Sequence, residues 1–264
     1  MYSTIKTIFT LFPLLFVSFI VERQQYTHRN NMSMKPLSAK TAAALDASLM
    51  STLGYKLEQL MELAGLSVAQ AIYADYKPDQ FSNVLVLVGP GNNGGDGLVA
   101  ARHLKLFGYR EVAVYIPKQG KNPFYANLQT QLKSFNVPVH TGELNNVLKG
   151  RDLVVDALFG FSGKPPLREP FNLIIDEIVK LQKRENVKLF AVDVPSGWDV
   201  DEGPVSQEYM PDALISLTAP KPCSAKLAPH VKHYLGGRFI SKEIAEKWNF
   251  DVPQYQGVDQ FVRL

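Results

Sequence analysis

A chain of 264 residues with one cysteine, Cys223, can form no internal disulfide. Its stability must come from a packed core, and the pattern suits a reducing compartment or simple indifference to redox conditions. Cys223 lies between Pro222 and Ser224 with no base beside it, so it reads as an ordinary residue rather than a nucleophile. Histidine is sparse too: His28, His103, His140, His230 and His233 form no spaced pair suited to a metal or a triad. No apolar run reaches the roughly 20 residues that a membrane span needs. Neither sign of charge dominates, with 28 Lys and Arg against 25 Asp and Glu. The basic residues are scattered, which excludes the footprint of a nucleic-acid binder. No Lys-Ser or Lys-Thr closes a glycine-rich turn, so there is no P-loop.

Residues 1–31 differ from the rest. Ile8–Val21 is almost wholly apolar, broken by Pro13 and preceded by one charged side chain, Lys6. Its exit, Phe19-Ile20-Val21-Glu22, offers no small residues for a signal-peptidase site, and only Arg23 and Arg29 would serve a mitochondrial presequence. The segment reads as a targeting or dispensable leader, for a protein of the mitochondrion or cytosol or one exported, with Met32 and Met34 as alternative starts. Residues 37–264 carry no repeat or low-complexity linker and are expected to fold as one domain.

What that domain does contain is an alternation of strands and helices. Val84–Val88 is a run of five apolar residues, fitting a parallel strand buried on both faces. G-P-G-N-N-G-G-D-G follows at Gly89–Gly97, and Leu98–Phe107 returns to helical spacing. Strand, glycine turn and helix open many nucleotide-binding α/β units, where backbone approaches a phosphate and a helix N-terminus offers free N–H groups. Asn92, Asn93 and Asp96 add two amides and a carboxylate, more than a capped turn requires. Further strands are expected at Glu111–Ile116, Val137–Val139, Asp152–Ala157, Leu189–Val194, Leu214–Thr218 and His233–Ile240. Helices are expected at Leu37–Leu49, Lys56–Tyr76, Phe124–Phe135, Phe171–Leu181 and Lys242–Asn249. The alternation predicts an α/β fold with a mostly parallel sheet.

In such a sheet ligands bind beyond the carboxyl ends of the strands. Three strands end in polar loops that should meet there: Asn92, Asn93 and Asp96 after the first, Asp156 at the end of the fourth, Asp193 and Ser196 after the fifth. This group is rich in oxygen and holds no histidine or cysteine, which disfavours zinc. One carboxylate with neutral oxygens suits a monovalent ion at least as readily as magnesium. Asp156 could equally be a strand-end cap or an ion-pair partner. Asp193, at a buried strand end before a proline-stiffened turn, is the candidate acid/base, since partial desolvation would let it exchange protons near neutrality. Lys164, in the glycine-proline loop beside Asp156, is a candidate diphosphate contact. Trp198 could stack on a ring or fill the core.

Taken together, Gly89–Gly97, Asp156–Lys164 (D-A-L-F-G-F-S-G-K), Asp193–Gly203 (D-V-P-S-G-W-D-V-D-E-G), Leu217–Pro222 (L-T-A-P-K-P) and Glu58–Gly65 (E-Q-L-M-E-L-A-G) resemble the NAD(P)H-hydrate epimerase family. This YjeF N-terminal domain family is also named for apolipoprotein A-I binding, and the resemblance covers about residues 37–264. It implies a Rossmann-like three-layer α/β/α sandwich acting as a homodimer. It further implies interconversion of the R and S forms of hydrated NADH or NADPH, in repair of damaged cofactors hydroxylated at C6 of the nicotinamide ring. Carried onto this sequence, the substrate would be lined by Asn92, Asn93, Gly94, Gly95, Asp96, Gly160, Phe161, Ser162, Gly163, Lys164, Pro165 and Pro166. Asp193 would touch the reacting ring, and Asn93, Asp156 and Ser196 would hold a potassium ion. No redox cofactor is implied, because the dinucleotide is the substrate. The dehydratase partner would be a separate protein. The rival reading is a non-catalytic module that binds a nucleotide or an apolipoprotein; a third is an NAD-dependent dehydrogenase.

Overall fold

The structure, a computed structural model, describes residues 34–205 and 208–264. The leader read over residues 1–31 lies outside the described residues. Val84, Val86 and Val88 of strand β1 (Asn83–Val88) pack into one core, and Leu85 and Leu87 pack into another. Five apolar residues in succession, Val84–Val88, are what a central strand covered on both faces requires.

In chain order the strands are β1, β2 (Glu111–Tyr115), β3 (Val139–His140), β4 (Leu153–Ala157), β5 (Lys188–Val192), β6 (Trp198–Asp199), β7 (Gly203–Pro204), β8 (Ala213–Leu217), β9 (Lys232–Gly236) and β10 (Phe261–Arg263). β6 and β7 form a separate two-stranded ribbon, and the other eight form one sheet ordered β10-β9-β8-β5-β4-β1-β2-β3. All its pairings are parallel except β10 with β9. The helices are α1 (Ala39–Ser51), α2 (Leu57–Asp75), α3 (Asn92–Leu106), α4 (Phe124–Ser134), α5 (Leu144–Leu148), α6 (Phe171–Glu185) and α7 (Lys242–Trp248). Val68 and Ile72 of α2, Leu98 and Leu104 of α3 and Leu128 of α4 cover one face of the sheet. Val147 of α5 with Ile174, Ile175 and Ile178 of α6 covers the other. The result is the expected three-layer α/β/α sandwich. A fully buried aliphatic side chain contributes about 1.5–3 kcal/mol, so these two cores outweigh any single polar contact.

The chain leaves β1 toward β2 and β3 but leaves β4 toward β5, β8 and β9. The direction reverses between the neighbours β1 and β4, and open α/β sheets bind ligands at the carboxyl side of such a switch point. A third cluster lies at that side: Leu37, Leu45 and Leu49 around α1 pack with Ala219, Ala245 and Phe250. No helix among the described residues is long and apolar enough to cross a membrane.

Two features differ from the sequence expectation. Helix α3 begins at Asn92 rather than Leu98, so most of the glycine run is helix and not loop. Glycine is demanded there by packing: a Cβ on Gly94 would stand 2.0 Å from the Gly89 carbonyl oxygen. The antiparallel edge strand β10 was not anticipated, because three residues are too few to show a strand period.

Candidate active site

Strands β5 and β8 lie side by side and end alike. Asp193, one residue past β5, has φ +68, and Thr218, one residue past β8, has φ +69. Val194 N–H donates to the Val192 carbonyl at 2.9 Å, and Ala219 N–H donates to the Leu217 carbonyl at 2.8 Å. Each is a three-residue turn of the strained, positive-φ kind. A left-handed backbone is uncommon for Asp and an outlier for the β-branched Thr, at about 1–3 kcal/mol per site. Both residues line the same cleft. Strain of this sort persists only where surrounding structure overdetermines it. Here it is fixed by Asp193 N–H donating to the Ile215 carbonyl (2.7 Å) and Thr218 N–H donating to the Gly236 carbonyl (3.0 Å).

The paired turns bring Asp193 to Lys221, a partner the sequence reading had not singled out. Lys221 Nζ donates to Asp193 Oδ1 and, at 2.8 Å, to the Leu217 carbonyl. Both side chains are almost fully enclosed, at 3% and 4% exposure. Leu217 N–H adds a bond to Asp193 Oδ1 (3.3 Å), and Phe161 N–H donates to Oδ2 (2.8 Å). Three donors therefore hold this carboxylate. Lysine inside L-T-A-P-K-P carried one signal that could have found it: a charge between two prolines directly after a buried strand.

The cleft has a volume of about 200 Å³. Asn92, Asn93, Asp96, Asp193, Thr218 and Lys221 supply its polar side, and Leu45, Leu49, Leu57, Leu60, Met61 and Phe239 its apolar side. Asp46 reaches in from α1. Burial pushes the Asp46 carboxyl up, helped by the charge of Asp193 and opposed by Lys221. Burial raises Asp96 well above the ordinary carboxylate range, with the charges of Asp193 and Asp46 adding to it and Lys221 opposing.

Of the residues carried over for substrate, Asn92, Asn93, Asp96, Gly160, Phe161, Ser162 and Asp193 line this cleft. Asn92 is oriented by Tyr125, whose hydroxyl donates to Asn92 Oδ1 at 2.8 Å. Gly160 leaves the necessary room: a Cβ there would stand 2.8 Å from Asp193 Oδ2 and 3.0 Å from Asn93 Oδ1. Gly94 and Gly95 are buried within α3, Lys164 and Pro166 are exposed, and Gly163 and Pro165 are half-buried. Trp198 is core: it is 2% exposed and its indole N–H donates to the Tyr209 carbonyl at 3.0 Å.

Asp156 and Ser196 are in direct contact. Asp156 is fully buried and accepts from Ser196 Oγ (2.6 Å), Ser196 N–H (2.9 Å), Leu158 N–H (3.2 Å) and Tyr209 OH (3.0 Å). Burial pushes its carboxyl up and these bonds pull it down. Ser196 Oγ also accepts from Phe159 N–H at 3.0 Å and stands 3.5 Å from the Phe159 carbonyl oxygen. The Asn93 amide nitrogen is buried with no hydrogen-bond partner among the described residues. An amide in that state gains by turning its oxygen toward a cation. Carboxylate, hydroxyl and carbonyl oxygens are hard donors of the kind a monovalent ion takes, and Asn93 Oδ1 lies beside Gly160.

Gly89, Gly91 and Gly94 stand at the G-x-G-x-x-G spacing of dinucleotide-binding turns. The comparisons with known proteins agree with the geometry. Residues 57–223 match the model of the family described as YjeF-related protein N-terminus. A Schizosaccharomyces pombe protein named NAD(P)H-hydrate epimerase is 50% identical over 241 residues, covering 88% of this chain and 97% of that one. The Saccharomyces cerevisiae protein of the same name is 46% identical, over 88% of this chain and 99% of its own. The crystal structure of yeast YNL200c is 46% identical with a TM-score of 0.82, covering 87% of this chain and all of the other. At these levels of identity and coverage, the chain belongs to the YjeF-related protein N-terminus family.

Proposed function

We propose that this protein is an NAD(P)H-hydrate epimerase, an isomerase that interconverts the R and S forms of hydrated NADH and NADPH. The observation that carries the reading is the donor-held Asp193 at the end of β5, facing Asn92 and Asp96 across the cleft of the switch point. The reacting carbon bears a hydroxyl and the ring nitrogen. Its configuration is erased either by loss of the hydroxyl to an iminium or by opening of the carbon–nitrogen bond. Both routes need a proton donor and a proton acceptor beside the ring. Asp193 can take a proton and return it, while Asn92 and the Gly160–Ser162 backbone position the substrate. The dehydrogenase reading is disfavoured by β2, which ends Val114-Tyr115 without the carboxylate that grips a cofactor ribose.

Purified protein should equilibrate a single separated epimer of hydrated NADH faster than buffer alone, as followed by chromatography. A protein that binds the compound without changing the epimer ratio would favour the binding-module reading. We assign residues 37–264 to the catalytic domain and 1–31 to a leader. A shortened chain starting at Met34 should therefore retain the rate, and an inactive or insoluble product would contradict the assignment. A homodimer, a separate dehydratase acting on the same compounds and an apolipoprotein partner are supported by the family resemblance.

Asn93, Asp156 and Ser196 are the residues that would hold a potassium ion, which when bound would supply fixed positive charge beside the Gly160 loop. Binding to the folded state alone stabilises it by about 2.7 kcal/mol at 100 times Kd. Replacing potassium by tetramethylammonium is expected to lower Tm, and Asp156→Asn should abolish the difference. Identical melting in the two salts would remove the cation from this reading.

A further inference from the structure

Two of the three carboxylates that line the cleft, Asp193 and Asp96, differ sharply in their surroundings. Asp193 receives three donors, one of them an ammonium. Asp96 receives none: no hydrogen bond or ion pair among the described residues ends on its side chain, although it is only 8% exposed. They reach the cleft from different elements, Asp96 from the second turn of α3 and Asp193 from the end of β5. A carboxylate without donors in an enclosed site is best accommodated as the neutral acid, and one with three donors as the anion. Environments that separate two carboxyl groups in this way divide the roles of acid and base between them.

We propose that Asp96 is the proton donor of the reaction and Asp193 its acceptor, so that the working enzyme carries one proton on the pair. This inference rests on the epimerase reading. In one direction the Asp96 carboxylic acid gives its proton to the hydroxyl oxygen on C6. The C6–O bond breaks with its electron pair going to oxygen, which departs as water, and the ring-nitrogen lone pair becomes the C6=N bond of an iminium. Water then adds to the opposite face of C6: its lone pair forms the new C6–O bond, the C=N pair returns to nitrogen, and the released proton passes to Asp193. The product state, with Asp193 protonated and Asp96 ionised, is the starting state for the reverse direction. Proton exchange between the two across the cleft restores the first.

Raised protonation of Asp96 follows from what surrounds it. Asp46 of α1 and Asp193 add negative charge, Lys221 opposes them, and Tyr125 of α4 is the remaining titratable group close to it. The rate should therefore fall at high pH as Asp96 loses its proton.

The test uses the full chain and one separated epimer of hydrated NADH. Asp96→Asn, which preserves shape and removes the proton, is expected to lower kcat by about 10²–10⁴-fold with KM changed only a few-fold, and to erase the alkaline limb. Wild-type kcat in that variant, a loss confined to KM, or an alkaline limb that survives in it would overturn the assignment. So would a limb that survives there but disappears in Asp46→Asn. If Asp96→Asn fails to fold, the infrared spectrum of the unmutated protein decides. A protonated carboxyl stretch at neutral pH that shifts when NADH fills the cleft is expected, and its absence refutes the proposal. An unmutated protein that does not epimerise at all would instead strike at the proposed function.

Discussion

Asp193→Asn is expected to slow epimerisation by about 10²–10⁴-fold, equivalent to roughly 3–5 kcal/mol of transition-state stabilisation. The substitution suits the backbone, because Asn tolerates the left-handed conformation that Asp193 adopts at φ +68. The amide oxygen can still accept from Phe161 N–H, so the Gly160 loop keeps its anchor. What disappears is the capacity to take and return a proton, together with the charge that pairs the enclosed Lys221, so rates are compared on protein shown to be folded. Binding should weaken far less, since Asn92, Gly160 and Ser162 line the cleft independently of that carboxylate. Hydrated cofactors also epimerise unaided, so rates are compared after that background is subtracted. If Asp193→Asn equilibrates the epimers as fast as the unmutated enzyme, Asp193 is a structural strand-end residue and no more.

The carboxyl-end convergence was readable from sequence because the strands announce themselves. Val84–Val88 is an uninterrupted apolar run followed at once by a polar loop, and Leu153–Val155 is an apolar run that leads straight into Asp156. Parallel topology then requires those loops to share one edge. Other features had no such signal. That Asn92–Gly97 is helical depends on the Gly89 carbonyl and Met61 pressing against α3, and contacts of that kind are invisible to periodicity. Glycine in a helix costs about 1 kcal/mol against alanine, so local propensity argued for a loop and tertiary packing overrode it. The pairing of Lys221 with Asp193, 28 residues apart, depends on two strand-end turns being neighbours in space. Asp46 looks in sequence like an ordinary helix-surface acid, and only the packing of α1 at the carboxyl end of the sheet brings it to the cleft. Asp156, whose resemblance suggested an ion ligand, is also the hub that ties β4 to Ser196 and Tyr209.

Lys221→Met should be the most destabilising single change at the site. Methionine matches the length of the lysine stem and fills its volume, so the loss is electrostatic rather than a cavity. It would leave Asp193 enclosed with two backbone N–H donors and no counter-ion. Removing one partner of a buried ion pair typically costs about 3–5 kcal/mol, because the remaining charge stays desolvated and unpaired. Against a total stability of about 5–15 kcal/mol, that is enough to shift a urea midpoint visibly. The Leu217 carbonyl, which accepts from Lys221 Nζ, also loses one of its two donors at the strained Thr218 turn and keeps only Ala219 N–H. Lys221→Arg is not a conservative repair, since a planar, longer guanidinium does not fit a 3%-exposed slot shaped for an ammonium. The double variant Asp193→Asn with Lys221→Met removes both charges and should be more stable than Lys221→Met alone. The coupling in that double-mutant cycle measures the pair directly. A Lys221→Met protein that unfolds at the unmutated urea concentration would mean that water reaches Asp193. The cleft would then lack the dry, preorganised carboxylate on which its acid–base chemistry depends.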